Sequence, residues 1–241
     1  MNSELTTWLE YSKLQLASEA FLINRDTGEE QFSGNLLLSA LKTGNDHSSK
    51  FTPTEAADFA ARYEVVAHQA NTGTGFSVTL FKDNAGNYTL SFRSTEFVED
   101  VLRDSIGTNE GISEYGWAFG QIADMEDWWA GLQQTVPGLS SEQVTLTGYS
   151  LGGHLATAFA QLRAEAGELS RIKHIYTFNG AGTGGIVEGH SLTQVLALFK
   201  TVRDTGAMPE SLNNLIDIVL LRSEAQRVKG VSVDMFSELS R

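Results

Sequence analysis

The sequence predicts an α/β protein built on a mixed, mostly parallel sheet flanked by helices. Three observations carry that expectation. Two β-rich runs, FSVTLFKD and NYTLSFR, meet across Asn84-Ala85-Gly86-Asn87 and read as a hairpin. Strand-like and helical segments then alternate as far as Phe178, the pattern of parallel strands joined by helical crossovers. The third is the stretch from Val144 to Ala160, VTLTGYSLGGHLATAFA. There an apolar strand passes a Gly-x-Ser-x-Gly corner and continues as a helix of small residues.

The elements follow in order. From Leu5 to Phe21, the residues Leu5, Trp8, Leu9, Leu14 and Leu16 fall at broadly helical intervals and predict an amphipathic opening helix. Lys42 to Lys50, KTGNDHSSK, reads as a surface loop. At Thr52 a second helix starts, with Thr52 as N-cap, Pro53 at the first helical position and Glu55 three residues after the cap. It runs through AADFAARY into a short strand, EVVAHQ, and the hairpin comes next. Ser94 to about Glu114 reads as a long loop, and AFGQIADMEDWWAGL as an aromatic helix closed by Pro137-Gly138. Val144 to Thr147 is a strand, Leu151 to Ala166 a helix, and His174 to Phe178 a further strand. Beyond Gly185 the chain reads as helix through HSLTQVLALFK and SLNNLIDIVLLRSEAQRV, and GVSVDMFSELSR carries a weak strand signal.

A chain of 241 residues is long enough for one α/β domain with a buried core, so residues 1–241 are read as a single domain. The net charge of −13 argues against nucleic acid, whose phosphates need a clustered basic surface, and against docking on anionic membranes. With no cysteine, disulfides and thiolate metal sites are excluded. No basic n-region followed by an apolar run marks a secretory signal peptide near Met1. No apolar run approaches the ~20 residues that span a bilayer.

The Gly-x-Ser-x-Gly alone is a weak signal, since a chain this rich in glycine matches it by chance roughly once in seven. Its setting sharpens it. A strand, a sharp turn and a helix are what a nucleophile elbow requires, and Gly148 and Gly152 then stand where side chains would collide. The helix N-terminus points at Ser150, where its free N–H groups favour negative charge. The competing structural reading is a tight turn with Ser150 as an ordinary helix N-cap. Acyl transfer needs at least two donors at the developing oxyanion. The amide of Leu151 is one candidate, and Thr95, at the end of YTLSFRSTE, is the other.

Together TLSFRSTE, DWWAGL, VTLTGYSLGGHLATAFA and IYTFNGAGTGG resemble the class 3, or fungal-type, lipase family of α/β-hydrolases, in its bacterial branch. The resemblance covers roughly residues 60 to 190. Where that family usually has Gly, this chain has Ser94. The resemblance implies an α/β-hydrolase fold whose C-terminal strands are missing here, and a carboxylic ester hydrolase of lipase type. Ser150 would be the nucleophile, and Leu151 and Thr95 the oxyanion donors. The substrate would be a lipid or other ester at a lipid–water interface, in an extracellular setting. Such chemistry needs no cofactor and no metal. The Asp26 and Asp83 loops lack the spacing of an EF-hand and read as turns.

What the sequence does not supply is an ordered triad. In α/β-hydrolases the acid and then the histidine follow the serine. After Ser150 come only His154, His174 and His190. His154 lies on the elbow helix and His174 begins a strand, so both read as structural. His190 is the remaining candidate base, yet no aspartate separates it from Ser150, and Asp204, Asp217 and Asp234 have no histidine after them. Three readings follow. The chain is an N-terminal piece of a longer hydrolase, which is preferred; or His190 works with a later acid such as Asp204 or Asp217; or the protein is a non-catalytic acyl-binding or interaction protein that keeps the elbow. In any of these, residues 186–228 are a candidate helical lid, or else an ordinary pair of core helices.

Overall fold

The computed structural model describes residues 3–46, 49–94, 116–205 and 219–220. Thr95, the second oxyanion candidate, lies outside these residues, as do Asp217 and Asp234. The described chain opens on α1 (Ser3–Glu19), α2 (Gly34–Thr43) and α3 (Pro53–Ala60). Thr52 and Glu55 form the expected capping box at the start of α3, each satisfying the other's backbone amide. Helix α2 is absent from the sequence reading; its apolar side, Leu37, Ala40 and Leu41, is buried.

The strands β1 (Tyr63–Gln69), β2 (Val78–Asp83), β3 (Tyr88–Phe92), β4 (Val144–Tyr149) and β5 (Ile172–Phe178) form one sheet in that order. β2 is antiparallel to both β1 and β3, while β3, β4 and β5 are mutually parallel. Four of the five strands therefore run the same way and only β2 is reversed. The β2–β3 turn is built on Asp83, whose carboxylate accepts from the amides of Ala85 and Asn87 and from Asn87 Nδ2. Asn24 caps the other acidic loop by accepting from the amides of Asp26 and Thr27. Both loops are turns, held in one case by the Asp83 carboxylate and in the other by the Asn24 side chain.

Helices cover both faces of the sheet. Phe59, Tyr63, Val65 and Phe81 pack with α1, α2 and α3 on one face. Leu80, Leu90, Leu146 and Phe159 pack on the other with α4 (Phe119–Thr135), α5 (Leu151–Glu165) and α6 (Leu192–Thr205). Helix α6 lies within the 186–228 stretch and is anchored in this core. Leu192 and Val195 are fully buried, Phe199 stacks on Phe119, and Lys200 and Arg203 pair with Asp127 of α4. The Glu165 carboxylate caps its start by accepting from the amides of Leu192 and Thr193.

One segment corrects the sequence reading. Val219–Leu220, expected inside a long helix, forms a strand (β7) antiparallel to β6 (Gly185–Ile186). The run Ile218 to Leu221 is apolar throughout, and such a short run has no period that separates strand from helix. The sheet ends at β5 among the described residues, with Lys173, His174 and Ile175 exposed on it.

His68 gives the fold a pH dependence. Its ring lies partly buried on β1, with Nδ1 2.9 Å from Thr79 Oγ1 and Phe32 against its edge. Burial, and then the charge of Arg93, push its pKa from 6.5 down to about 3. As the pH falls below 6.5 the unfolded chain takes up this proton and the folded one does not. Stability from this site is thus complete above that pH and is lost on the way down to pH 3, by up to about 1.4 kcal/mol per pH unit. Urea unfolding of wild type and His68→Gln at pH 7 and about pH 5 checks this. The variant should lose much less stability on acidification, and identical losses would exclude His68 as the cause.

Candidate nucleophile site

Strand β4 ends at Tyr149 and helix α5 begins at Leu151, so the reversal falls on Ser150 alone. Its backbone sits at φ 52°, ψ −116°, a conformation that L-residues rarely adopt and that costs about 1–3 kcal/mol. An ordinary N-cap serine is extended and accepts a hydrogen bond from the first turn of its helix. Ser150 does neither: its φ is positive and its side chain makes no capping bond. The hydroxyl therefore stands at the C-terminal end of the sheet with no hydrogen bond among the described residues.

The strain is held from several sides. The Ser150 amide donates to Phe178 O at 3.0 Å, and the Ser150 carbonyl accepts from the amides of Gly153, His154 and Ala181. Two glycines make the crossing possible. A Cβ on Gly148 would stand 2.3 Å from the carbonyl of Gly152, and one on Gly152 would stand 2.2 Å from Phe92 O. Strand, helix and the end of β3 thus meet with only backbone between them.

Leu151 is the first residue of α5, and its amide donates to no acceptor among the described residues. It is one of the orphan donors that every helix N-terminus carries, and it is adjacent to Ser150. Phe92, the last residue of β3, is paired with Gly148, so the chain leaving β3 passes directly beside the elbow. Its first steps are fixed by α1. Glu19, 4% exposed, accepts from the Ser94 amide at 2.9 Å and faces Arg93 Nε at 3.7 Å. Gln15 Nε2 donates to the same carboxylate. The Arg93 guanidinium lies over the Phe21 ring, 5.3 Å from its centre. The sequence reading missed Glu19, because one carboxylate on an amphipathic helix looks like a solvated charge.

The structure does not bring His190 to Ser150. His190 is exposed, and no hydrogen bond joins it to Ser150 or to Asp204. Asp204 instead pairs with Arg203 Nε at 2.7 Å, which holds its carboxyl below the usual range. His174 is exposed on β5, beside Tyr176. His154 is fully buried, with Nδ1 2.6 Å from Gly182 O and Nε2 accepting from the Ala118 amide at 3.2 Å. Among the described residues no group of three His, Asp or Glu side chains is placed to hold a metal ion.

A mostly parallel sheet with one reversed strand, helices on both faces and a sharp strand–turn–helix corner at a strained serine form the mixed α/β architecture that the sequence predicts. No protein-family model matches the chain, and no curated protein sequence does. Among solved structures it is similar to a lipase from Rhizopus microsporus var. chinensis, at 14% identity and a TM-score of 0.46 over 76% of this chain. It is also similar to a deletion mutant of the Rhizomucor miehei lipase–propeptide complex, at 11% identity and a TM-score of 0.40 over 76% of this chain. The chain spans 60% and 54% of those two chains.

The glycine contacts make a direct prediction. Gly148→Ala should destabilise the protein by about 2 kcal/mol or more, because the new methyl meets backbone and not a side chain that can turn away. Chemical denaturation of the variant against wild type measures this. A loss below about 0.5 kcal/mol, typical of a surface change, would mean that β4 and α5 are not so closely apposed.

Proposed function

We propose that the chain is a carboxylic ester hydrolase of lipase type acting through Ser150. The observation that carries the reading is the Ser150 backbone itself, strained at φ 52° with its hydroxyl spent on no cap. Strain of this kind persists only where surrounding structure holds it, and a serine that merely ended a strand would relax to an extended cap. The motifs around it, TLSFRSTE and VTLTGYSLGG, resemble those of class 3 lipases and support the same assignment.

In this reading Ser150 Oγ attacks the ester carbonyl carbon, and the carbonyl oxygen becomes an oxyanion. The Leu151 amide and Thr95 stabilise that charge. The intermediate collapses to an acyl-serine, the alcohol departs with a proton, and water then releases the acid and restores the hydroxyl. Tyr149, 44% exposed beside the nucleophile, offers an aromatic surface to an apolar acyl group or to a lipid–water interface. The proton of Ser150 needs an acceptor, and none of the described histidines is bonded to it. Acylation or phosphonylation of Ser150 reports on the nucleophile directly, whatever group accepts its proton.

One observation favours a second reading. With no described histidine at Ser150, the elbow would also suit a non-catalytic acyl-binding protein that retains the architecture without the chemistry. A fluorophosphonate probe separates the two, because only an activated serine is phosphonylated. Wild type should be labelled and Ser150→Ala should not, and any hydrolysis of a short p-nitrophenyl ester should disappear in Ser150→Ala. Retention of more than about 5% of the wild-type rate by that variant would remove Ser150 from the mechanism.

A further inference from the structure

His154 lies one turn into α5 from Ser150, fully buried, and both ring nitrogens are engaged by backbone. The chemistry of the partners fixes its tautomer. Ala118 contributes an N–H, which only donates, so Nε2 must be the unprotonated, accepting nitrogen. Gly182 contributes a carbonyl, which only accepts, so Nδ1 must carry the proton. A neutral imidazole protonated on Nδ1 satisfies both bonds, and a ring so engaged has no lone pair left to act as a base toward Ser150.

The two partners belong to different loops. Ala118 ends the segment that leads into α4, and Gly182 sits in the loop after β5. These loops also meet directly: the Gly184 amide donates to Gly116 O at 2.8 Å, and a Cβ on Gly116 would stand 2.3 Å from the Gly184 Cα. The side chains of Ala118 and Leu151 pack together with Ala181 against them. Trp117 lies with its ring centre 5.8 Å from the imidazole. The loop after β5 is tied to the elbow on one side by the Ala181 amide on Ser150 O, and on the other by Gly182 O on His154.

We infer that His154 is a positioning residue for the nucleophile, a clasp that closes the 116–118 and 181–184 segments around the first turn of α5 and so holds Ser150 and the Leu151 amide in place. The inference rests on Ser150 being the nucleophile, and it adds a residue that touches neither substrate nor the reacting atoms. A helix N-terminus backed by two clasped loops cannot unwind its first turn to relieve the strain at Ser150. Without the clasp the strained hydroxyl and the amide beside it lose their fixed relation. Misplacement of about 1 Å costs up to about 100-fold in rate.

The test uses the full chain and two independent readouts. The imidazole 15N spectrum of wild type at neutral pH should show His154 protonated on Nδ1 and bare at Nε2; a proton on Nε2 would overturn the inference. The second readout is the second-order rate of Ser150 labelling by a fluorophosphonate. His154→Ala should remain folded and be labelled about 10- to 100-fold more slowly. His154→Gln can restore only the acceptor for Ala118, and His154→Asn only the donor to Gly182, so each should fall between alanine and wild type. A folded His154→Ala labelled at the wild-type rate would overturn the inference. Should the alanine variant not fold, wild-type rates in both conservative variants would overturn it equally, since each lacks one of the two bonds. A wild type that takes no label sinks the nucleophile reading instead. The clasp is then judged by amide exchange of Ala118, which should speed up in His154→Asn and not in His154→Gln, and no change in either would end it.

Discussion

A residue other than glycine at φ 52° is held there only if its neighbours leave it no alternative, and at Ser150 they do. Its amide is bound to β5 through Phe178, and its carbonyl is bound to α5 and to the loop after β5. The absence of side chains at Gly148 and Gly152 lets β4, α5 and the end of β3 approach to backbone contact. None of these contacts is unusual alone. Together they make a reversal within one residue, and that reversal places a hydroxyl and a free helix amide side by side at the end of the sheet.

The remaining elements act on this point from both faces. On one face α1 reaches across the strands, and its last residue, Glu19, anchors Arg93 and the Ser94 amide where the chain leaves β3. A buried ion pair of this kind is weak evidence for net stability, because desolvation offsets the attraction. Its effect is directional: it fixes where the segment after Phe92 begins, and the proposed oxyanion role of Thr95 depends on that exit. On the other face His154 and the glycine contact at Gly116 draw two loops together behind the elbow. Helix α6, the last among the described residues, is held in the same core, by Phe199 on Phe119 and by ion pairs to α4.

Much of this was legible in the sequence, for identifiable reasons. The hairpin, the capping box at Thr52 and the strand–corner–helix around Ser150 all rest on short-range signals, namely turn residues, cap spacing and a change of period. Helix α2 is not legible because it opens on Gly34 and Asn35, both weak helix formers. Val219–Leu220 reads as helix because the short apolar run Ile218 to Leu221 carries no period of its own. The roles of Glu19 and His154 could not be read at all. Each depends on a partner far along the chain: Glu19 meets Ser94, 75 residues away, and His154 meets Ala118 and Gly182, 36 and 28 residues away. A single sequence marks such residues only as a charge on an amphipathic helix and a histidine among small residues.

The central claim is that the fold imposes strain at Ser150 in order to present its hydroxyl, and strain is a measurable free energy. Glycine adopts φ 52° without penalty, whereas alanine pays what serine pays. Chemical denaturation of Ser150→Gly and Ser150→Ala, side by side with wild type, reads the difference. The account predicts that the glycine variant is the most stable of the three, by about 1 kcal/mol over alanine after the greater flexibility of an unfolded glycine is allowed for. A glycine variant less stable than alanine by about 0.5–1 kcal/mol, the ordinary outcome inside a strand or helix, would contradict it.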